Sequence, residues 1–334
     1  MSRADFNRMK SELSDDLETI QGSSGLLNIV MNLLRSRKGI LAHELLQNAL
    51  DADAKEVRYY FDSEDNEMIF EHNGDNPLNA AAVKGLCSWG RSTKGLDSVG
   101  FMGIGFKSSL VYFHSVDVTG FGWSFTISPG MTGPVVNYSE TLRPKWDDSL
   151  RPPSNGFTTR FHFYNAVDQD SSAIDEISEG LEKIVKPSVL ALLASRGLRK
   201  VWRQLPDDSW QGSAVMKKMK GGYYLVQDFD AEEDHRFKIY KTNVQIRDEE
   251  SLRNFMRSRS EVLQNNNMTW EELCSKGLKR EVSIVTGSDQ NGNPVPVGLD
   301  EDERFHSGLP VEIEFPFNFG IDSDWLVTPS RDNI

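Results

Sequence analysis

The chain has 334 residues, of which 38% are hydrophobic and 26% are charged, and its formal net charge is −13. This composition is typical of a folded protein with a sizeable core, in one large domain or two domains of ordinary size. The negative charge makes nucleic acid an unlikely partner for this chain, because an acidic surface repels phosphate backbones.

The first half of the chain predicts helices followed by a mostly antiparallel sheet. Helical patterns cover about 5–19, 26–36 and 40–54, and the strand patterns VRYYF (57–61) and EMIFEH (67–72) follow. A helix over 79–88, a Gly- and Ser-rich loop over 90–105 and a helix over 105–113 come next. The strands SVDVTG, WSFTIS and TTRFHFY then complete an α+β order of elements.

The second half of the chain predicts a separate α/β unit. A long helix is expected over about 173–195, and the polar, Gly-rich stretch 204–222 is expected to be a boundary region. Two further helices are expected near 249–263 and 269–276. The strand patterns of this half are YYLVQDF, FKIYKTNVQI, REVSIVTG and VEIEF.

The segment HELLQNALDADA (43–54) carries a polar stripe on a largely apolar helix. Glu44 and Asn48 are spaced i, i+4, and Asp51 and Ala52 follow, so that all four share one face. Leucines and alanines cover much of the remaining surface, which predicts a largely buried helix. Burying a carboxylate and an amide is costly without compensation, and a bound metal ion with its water would compensate them. The alternative is a surface stripe on an amphipathic helix.

The segment GRSTKGLDSVGFMGIGFKS (90–108) suits a phosphate-binding loop. Gly100, Gly103 and Gly105 form the pattern GxxGxG and lead into a helix, where backbone N–H groups can approach phosphate oxygens closely. Its spacing differs from the GxxxxGK[ST] loop, and no βαβ pattern supports a dinucleotide-binding fingerprint. The alternative is a flexible surface loop. Further hydrogen-bond donors in or beside the glycine pattern are Ser92, Thr93, Lys94 and Lys107.

Taken in order, these motifs resemble those of the GHKL ATPases, which include gyrase B, the ninety-kilodalton heat-shock chaperones, sensor histidine kinases and MutL. The resemblance spans about residues 25–165, and the wording ELLQNALDADA, EHNGDNP, GRSTK and GFMGIGFKSSL is closest to the sacsin-like, chaperone-like branch. It implies a Bergerat-type two-layer α/β sandwich, with helices on a mostly antiparallel mixed sheet. The expected parts are an N-terminal helix or extension over 1–24, an ATP-binding domain over 25–200 with a lid at about 88–106, and a smaller transducer-like α/β domain over 201–334, truncated at its C-terminus.

The resemblance implies Mg²⁺-dependent binding and slow hydrolysis of ATP. Glu44 would be the general base that activates water, and Asn48 would ligate the Mg²⁺ that bridges the phosphates. Thr158 or Thr159 would help to bind the base through water. The remaining expected nucleotide-binding residues are Asp51, Ala52, His72, Asn73 and Gly74 on the base side, and Ser92, Thr93, Lys94, Gly100, Gly103, Ile104, Gly105, Phe106 and Lys107 on the phosphate side.

His72 departs from the family's pattern. The second motif of the family is DxGxG, in which the aspartate accepts a hydrogen bond from the adenine amino group, whereas this chain has His72-Asn73-Gly74-Asp75-Asn76. A neutral imidazole can accept one hydrogen bond through its unprotonated nitrogen, so His72 can replace the aspartate. The alternative is that His72 only caps the end of the strand. We expect this departure to affect the specificity and the affinity for the nucleotide base more than the fold.

The C-terminal segment 301–334 resembles the transducer domain of the chaperone-like branch. There, a segment ending in S-R-[DE] brings an arginine to the γ-phosphate, and Arg331 would be that catalytic residue here. A guanidinium suits this role because it is permanently charged and binds phosphate oxygens through two donors. The alternative is a surface arginine paired with Asp324 or Asp332.

Three functions are compatible with these expectations. The first is an ATPase module, using ATP and Mg²⁺, whose lid closure drives conformational change in a chaperone-like or conflict-system protein and leads to a nucleotide-dependent homodimer. The second, suggested by His72, is a nucleotide-binding switch or scaffold with little turnover. The third is a DNA-processing ATPase of the MutL or MORC type, which the net charge disfavours.

The remaining sequence features concern location. Cys87 and Cys274 lie far apart without metal-ligand spacing, which predicts neither a disulfide framework nor a metal site and fits a reducing compartment. No apolar run approaches membrane-spanning length, and the N-terminus lacks the apolar region of a signal peptide. We therefore expect a cytoplasmic or nuclear protein without a membrane partner. Because the chain stops at TPSRDNI without a polar tail, we expect a longer parent protein.

Overall fold

The computed structural model describes residues 3–20, 40–62, 65–87, 105–132, 135–166, 177, 179–180, 182, 186–204, 209–258, 263, 268–298, 305–306 and 316–323. These residues fall into two compact units. The first contains the described residues up to 180 together with 204 and 209, and the second contains residue 182, residues 186–203 and those from 210 onwards. The predicted helix at 26–36 and the predicted strand VEIEF lie outside the described residues.

The first unit begins with helices and continues as an antiparallel sheet. Its helices are α1 (Arg3–Ile20), α2 (Ile40–Asp51), α3 (Ala80–Cys87) and the short α4 (Ser109–Tyr112), which follows a 3-10 turn over Gly105–Ser108. Its strands are β1 (Glu56–Asp62), β2 (Glu67–His72), β3 (Phe113–Gly120), β4 (Trp123–Ile127), β5 (Gly130–Thr132), β6 (Val135–Asn137), β7 (Lys145–Trp146) and β8 (Thr159–Ala166). The sheet order is β1-β2-β8-β3-β4-β7 with antiparallel pairing throughout, and β5 and β6 form a separate hairpin.

The sheet of the first unit has an apolar face that positions the candidate site. Side chains alternate between the two faces of a strand, and Phe70 and His72 are buried on the same face of β2. Phe161 of β8 pairs with Phe70 and therefore shares that face. The ring of Phe106 packs against Phe161 and Phe163, with centroid distances of 5.6 and 6.4 Å. The 3-10 turn thus covers the apolar face of the sheet.

Helix α1 is anchored to the first unit by one aromatic side chain. Phe6 is 1% exposed, and its ring centroid lies 5.2 Å from that of Trp146, 5.8 Å from Phe125 and 6.3 Å from Trp123. These partners lie on or next to strand β4, and α1 also packs against α3. The N-terminal helix is therefore an integral part of the first unit.

The second unit places a buried helix on a set of mostly antiparallel strands. Its helices are α5 (Pro187–Leu193), α6 (Glu249–Ser258) and α7 (Trp270–Lys276). Its strands are β9 (Lys200–Gln204), β10 (Trp210–Lys218), β11 (Tyr223–Asp228), β12 (Glu233–Ile246), β13 (Leu278–Ser288), β14 (Pro294–Val295), β15 (Phe305–His306) and β16 (Gly320–Asp322). Neighbouring strands follow the order β15-β16-β13-β12-β11-β10-β9, antiparallel from β10 to β13 and parallel between β15 and β16. Helix α5 packs on strands β10 to β13.

Three segments differ from the sequence prediction. The helix expected over 173–195 is interrupted at Lys186 (φ −58°, ψ 137°), because the ring of Pro187 disfavours helical backbone at the preceding residue. The stretch 204–222 contains strand β10, whose pairing with β11 is not apparent from its polar sequence. The helix expected over 105–113 begins as a 3-10 turn and ends at Tyr112, where β3 follows directly.

The chain is a mixed α/β protein with mostly antiparallel strand pairing, as the order of its elements predicted. Both cysteines are free: Cys87 is buried and Cys274 is half-buried. Within the described part of the chain, no helix combines the length and apolar character needed to cross a membrane.

Candidate functional site

Helix α2 is exposed along a single polar stripe. Among its described side chains, Glu44, Asn48 and Asp51 are half-buried and all the others are buried. The stripe predicted from the spacing is therefore present on a helix whose other described positions are packed. Helix α2 rests on the 3-10 turn Gly105–Ser108, which brings the stripe and the end of the glycine-rich segment into the same neighbourhood.

The end of α2 is in direct contact with the turn that follows β2. A Cβ atom on Gly74 would lie 2.5 Å from the carbonyl oxygen of Ala52 and 2.7 Å from its Cβ, so only glycine fits at this position. The side-chain amide of Asn76 donates to the Asp51 carbonyl oxygen (3.2 Å) and to the Asp53 carboxylate (2.9 Å). The predicted base-side residues of the helix and of the turn therefore touch each other.

Asn73 stabilises the turn after β2 through three hydrogen bonds. Its Oδ1 accepts hydrogen bonds from the backbone N–H groups of Lys55 (2.9 Å) and Glu56 (2.8 Å), and its own N–H donates to the Glu56 carbonyl oxygen (3.1 Å). These partners lie where the chain passes from α2 into β1. Asn73 therefore has a structural role in the turn, and its contact with a ligand stays a prediction.

His72 ends strand β2 with 4% of its surface exposed. Its Nδ1 accepts a hydrogen bond from the backbone N–H of Gly74 (3.2 Å), which is a capping contact of the kind that the sequence left open. Burial lowers the pKa of the imidazole from 6.5 to about 4, so the ring is neutral at neutral pH and its proton is on Nε2. The unprotonated nitrogen that we expected to accept a hydrogen bond from a ligand is thus already used within the turn.

The two threonines before and in β8 have different environments. The Thr158 hydroxyl donates to the Gly74 carbonyl oxygen (2.8 Å), with the His72 carbonyl oxygen 3.2 Å away, and its backbone N–H donates to His72 (3.0 Å). Thr159 pairs with His72 in the sheet and is 2% exposed, whereas Thr158 is half-buried. Thr158 is therefore the threonine whose hydroxyl borders the turn.

Lys107 points into the protein interior. Its side chain is fully buried, and its Nζ donates to the carbonyl oxygen of Leu86 near the C-terminal end of α3. Burial lowers the pKa of Lys107 to about 8 and raises the pKa of Cys87 to about 12. The neighbouring Phe106 is part of the core, with 6% exposure. In this arrangement the ammonium group of Lys107 binds the end of a helix, and its contact with phosphate stays a prediction.

Several predicted site residues lie outside the described part of the chain. Gly105 is described, as the first residue of the 3-10 turn that rests on α2. For the others, the roles given by the resemblance stay predictions. They are Ser92, Thr93, Lys94, Gly100, Gly103, Ile104 and Arg331.

Glu71 is a buried carboxylate that the sequence analysis missed. Its side chain is 1% exposed, and its Oε2 accepts a hydrogen bond from Arg58 Nε (2.5 Å). Its Oε1 accepts from the backbone N–H of Ser154 (2.8 Å) and lies 3.4 Å from Arg160 Nη1. Through Ser154, the network ties the segment before Thr158 to strand β2. The available signal was a charged residue within the apolar strand EMIFEH, with a partner up to 89 positions away.

A second polar network lies on the same face as Glu71. The Nε2 of His162 is 2.8 Å from Glu67 Oε2, and its Nδ1 is 3.7 Å from Asp117 Oδ2. Thr126 and Tyr164 donate their hydroxyl groups to Asp117 Oδ1 at 2.6 and 3.1 Å. The carboxylates of Asp117 and then Glu67 raise the pKa of His162 against the effect of burial. This network links β2, β3, β4 and β8.

The described residues offer few protein ligands for a metal ion. None of them form a group of three or more His, Cys, Asp or Glu side chains that could hold one. The stripe on α2 offers the two carboxylates of Glu44 and Asp51 and the amide oxygen of Asn48. That donor set fits Mg²⁺ bound together with a phosphate ligand, because Mg²⁺ keeps several waters and takes few protein ligands in such sites.

The chain matches no family model in a scan of protein families and no curated protein in a search of their sequences.

Proposed function

We propose that this chain is an ATPase module of the GHKL type, which binds Mg²⁺-ATP and hydrolyses it slowly to ADP and phosphate. The observation that carries the proposal is the half-buried stripe of Glu44, Asn48 and Asp51, on a helix whose other described side chains are buried. The stripe leads to the glycine turn that touches Ala52. This arrangement supports the binding of an extended polar ligand along α2. The fold that would hold this ligand is a Bergerat-type sandwich.

The residues of the proposed site would contact either the phosphate end or the base end of ATP. Glu44 would accept a proton from the attacking water, and Asn48 would offer its amide oxygen to Mg²⁺. When bound, Mg²⁺ would neutralise charge on the phosphates. The base would lie over the contact between Ala52 and Gly74, and Thr158 is favoured over Thr159 as the threonine beside it, because its hydroxyl borders the turn.

The proposal extends to the lid at 88–106, where Gly100, Gly103 and Gly105 would contact the phosphates through backbone N–H groups. Arg331 would bind the γ-phosphate in the closed state. Loop ordering by a γ-phosphate is an established switching device, and lid closure would lead to a homodimer. Light scattering with a non-hydrolysable ATP analogue should show a dimer, and a monomer at all concentrations would contradict this part.

A second function, nucleotide binding as a switch or scaffold with little turnover, is favoured by His72. A neutral imidazole whose acceptor nitrogen is used within the turn contacts a base differently from a carboxylate. The two functions share the binding site and differ in phosphate release, so one set of measurements separates them.

The test compares the wild-type chain with Glu44→Gln and Asn48→Ala, using calorimetry for Mg²⁺-ATP binding and an assay for phosphate release. For an ATPase, Glu44→Gln should bind ATP but lose turnover by about 100-fold or more, since a general base contributes on that scale. Asn48→Ala should lose the Mg²⁺-dependent part of binding. The matched control is Glu67→Gln, a carboxylate on the polar face of the sheet, which should keep both activities.

Each result of this test favours one reading. Binding without phosphate release by the wild type would support the switch. Absence of Mg²⁺-ATP binding would reject both functions. Retention of the chain on DNA at physiological salt would instead favour a DNA-processing ATPase, against the expectation from its net charge.

A further inference from the structure

Strands β10 to β13 of the second unit have a packed face and an outer face. Helix α5 packs on these strands, and its Leu192 side chain lies 3.0 Å from the Cβ position of Gly320, which pairs with Val285. Val285 and Phe237 share this packed face and are at most 4% exposed. Because successive side chains of a strand alternate between its faces, the residues between these positions form the opposite face, which we call the outer face.

The outer face combines three cations with two tyrosines. Lys217 and Arg236 lie in one row, since both are in register with the same residue of β11, and Tyr223 lies opposite Lys238 in the next row. Tyr240 lies two residues beyond Lys238 on β12 and is 41% exposed. Two residues of a strand span about 7 Å, so cations and rings follow one another at that spacing. We call these five residues the basic sheet face.

The positive charge of the basic sheet face is not neutralised within the described part of the chain. None of its three cations forms an ion pair with a described residue. The Nζ of Lys238 donates to the Gly292 carbonyl oxygen (3.0 Å) and lies 5.7 Å from the centroid of the Tyr240 ring, and both contacts leave its charge in place. In strands β10 to β13, all of which the structure describes, Asp234 is the one acidic side chain on the outer face. In a chain with a net charge of −13, this local excess of positive charge favours a polyanionic partner.

We propose that the basic sheet face binds single-stranded nucleic acid, with phosphates at Lys217, Arg236 and Lys238 and with bases stacked on Tyr223 and Tyr240. All five residues belong to the second unit, so this inference does not depend on the proposed ATP site. Surfaces that bind single strands combine cations along the phosphate backbone with aromatic rings on which the bases stack. A duplex keeps the faces of its bases stacked inside, and a polyglutamate offers only its charge. Of these polyanions, the single strand therefore uses both the cations and the rings.

The net charge of the chain makes this binding local and dependent on salt. Acidic surface elsewhere repels phosphate groups, which confines the strand to the basic sheet face. Three phosphate contacts on a single strand give a slope of about −2 for the logarithm of the affinity against the logarithm of the salt concentration. The affinity should therefore fall about 15-fold between about 50 and about 200 mM salt.

The experiment titrates a fluorescently labelled oligodeoxythymidylate, about 12 nucleotides long, with the wild-type chain at about 50 mM salt and measures its anisotropy. The comparison ligands are a labelled oligoglutamate of equal charge and a labelled duplex of the same length. The single strand should bind about fivefold or more tightly than either, because the tyrosines add stacking to the charge contacts. Absence of binding to the single strand, or equal or tighter binding of oligoglutamate or duplex, would overturn the inference.

Four variants separate stacking from charge. Tyr240→Ala should weaken binding of the single strand by about fivefold or more, whereas Tyr240→Phe keeps the ring and should bind like the wild type. Arg236→Ala should reduce the salt slope from about −2 to about −1.4, since one phosphate contact is lost. Its matched control is Lys279→Ala, which removes an exposed lysine from the opposite face of β13 and should keep the wild-type affinity and slope. Unchanged binding by Tyr240→Ala, or equal effects of Arg236→Ala and Lys279→Ala, would contradict the inference.

Discussion

Gly74 packs so closely on Ala52 that a Cβ atom would lie 2.5 Å from the Ala52 carbonyl oxygen. That oxygen is backbone next to the end of a buried helix, and a close-packed interior does not yield easily. We expect Gly74→Ala to lower the free energy of unfolding by about 2 kcal/mol, as overpacking typically does. Urea denaturation measures the change.

Gly298→Ala is the matched control for this substitution. A Cβ on Gly298 would have no neighbour within 4 Å, so the free energy of unfolding should change by about 0.5 kcal/mol or less. Equal stability of the two variants would contradict the contact between Gly74 and Ala52.

The parts of the structure that the sequence predicted depend on local pattern. Strand β2 has the bounds expected for EMIFEH, and the stripe on α2 follows from the i, i+4 spacing of Glu44 and Asn48. Both signals are periodic and need no knowledge of distant residues. The interruption of the predicted helix at Lys186 was also readable, since the next residue is proline.

The parts that the sequence did not predict depend on register and side-chain direction. Glu71 meets Arg58 and Arg160 only because β1 and β8 pair with β2 in one register. Lys107 turns inward because the carbonyl oxygen of Leu86 lies within its reach. The tautomer of His72 is set by which ring nitrogen faces the backbone of Gly74. None of these relationships leaves a periodic signal.

Removing the Glu71 carboxylate should strongly destabilise the first unit. Its loss in Glu71→Ala leaves the guanidinium groups of Arg58 and Arg160 without their buried counter-charge, and Arg160 is only 7% exposed. We expect the free energy of unfolding to fall by about 3–5 kcal/mol, the range found when one partner of a buried ion pair is removed. The exposed pair of Glu249 and Arg253 is the control, where Glu249→Ala should cost about 0.5 kcal/mol. Similar losses of unfolding free energy in the two variants would show that Glu71 is not the buried counter-charge of Arg58 and Arg160.

His162 should stabilise the fold below neutral pH. Its pKa is raised above the unfolded value of 6.5 by the carboxylates of Asp117 and Glu67, so the folded state holds the proton more tightly than the unfolded chain. This contribution is fully present below pH 6.5 and is lost as pH rises through the folded pKa. The difference in unfolding free energy between the wild type and His162→Asn should therefore shrink with rising pH. A difference that grows over the same range would contradict the ion pairs.

His72 should make the fold less stable as the pH falls, which is opposite to the effect expected of His162. Its folded pKa is about 4, against 6.5 in the unfolded chain, because burial disfavours the charged ring. Between these values the unfolded state binds more protons, so stability falls on acidification from about pH 6.5 to about pH 4, by roughly 3 kcal/mol in total. Comparison of the wild type with His72→Asn by urea denaturation along this range isolates the effect. Parallel pH profiles would mean that His72 is not buried as a neutral ring.

Lys107→Met separates a structural role of this lysine from phosphate binding. The folded pKa of about 8 lies below the unfolded value of 10.5, since burial penalises the ammonium group. The wild type should therefore gain stability, by roughly 3 kcal/mol, as pH rises from about 8 to about 10.5, and Lys107→Met should lack this gain. The raised pKa of Cys87 acts in the opposite direction above pH 9 in both proteins, so the comparison removes most of its effect. If Lys107→Met loses the pH-dependent gain but binds Mg²⁺-ATP like the wild type, the ammonium acts on the helix end at Leu86. A folded variant with weakened Mg²⁺-ATP binding would instead make Lys107 a phosphate ligand that turns outward when nucleotide binds.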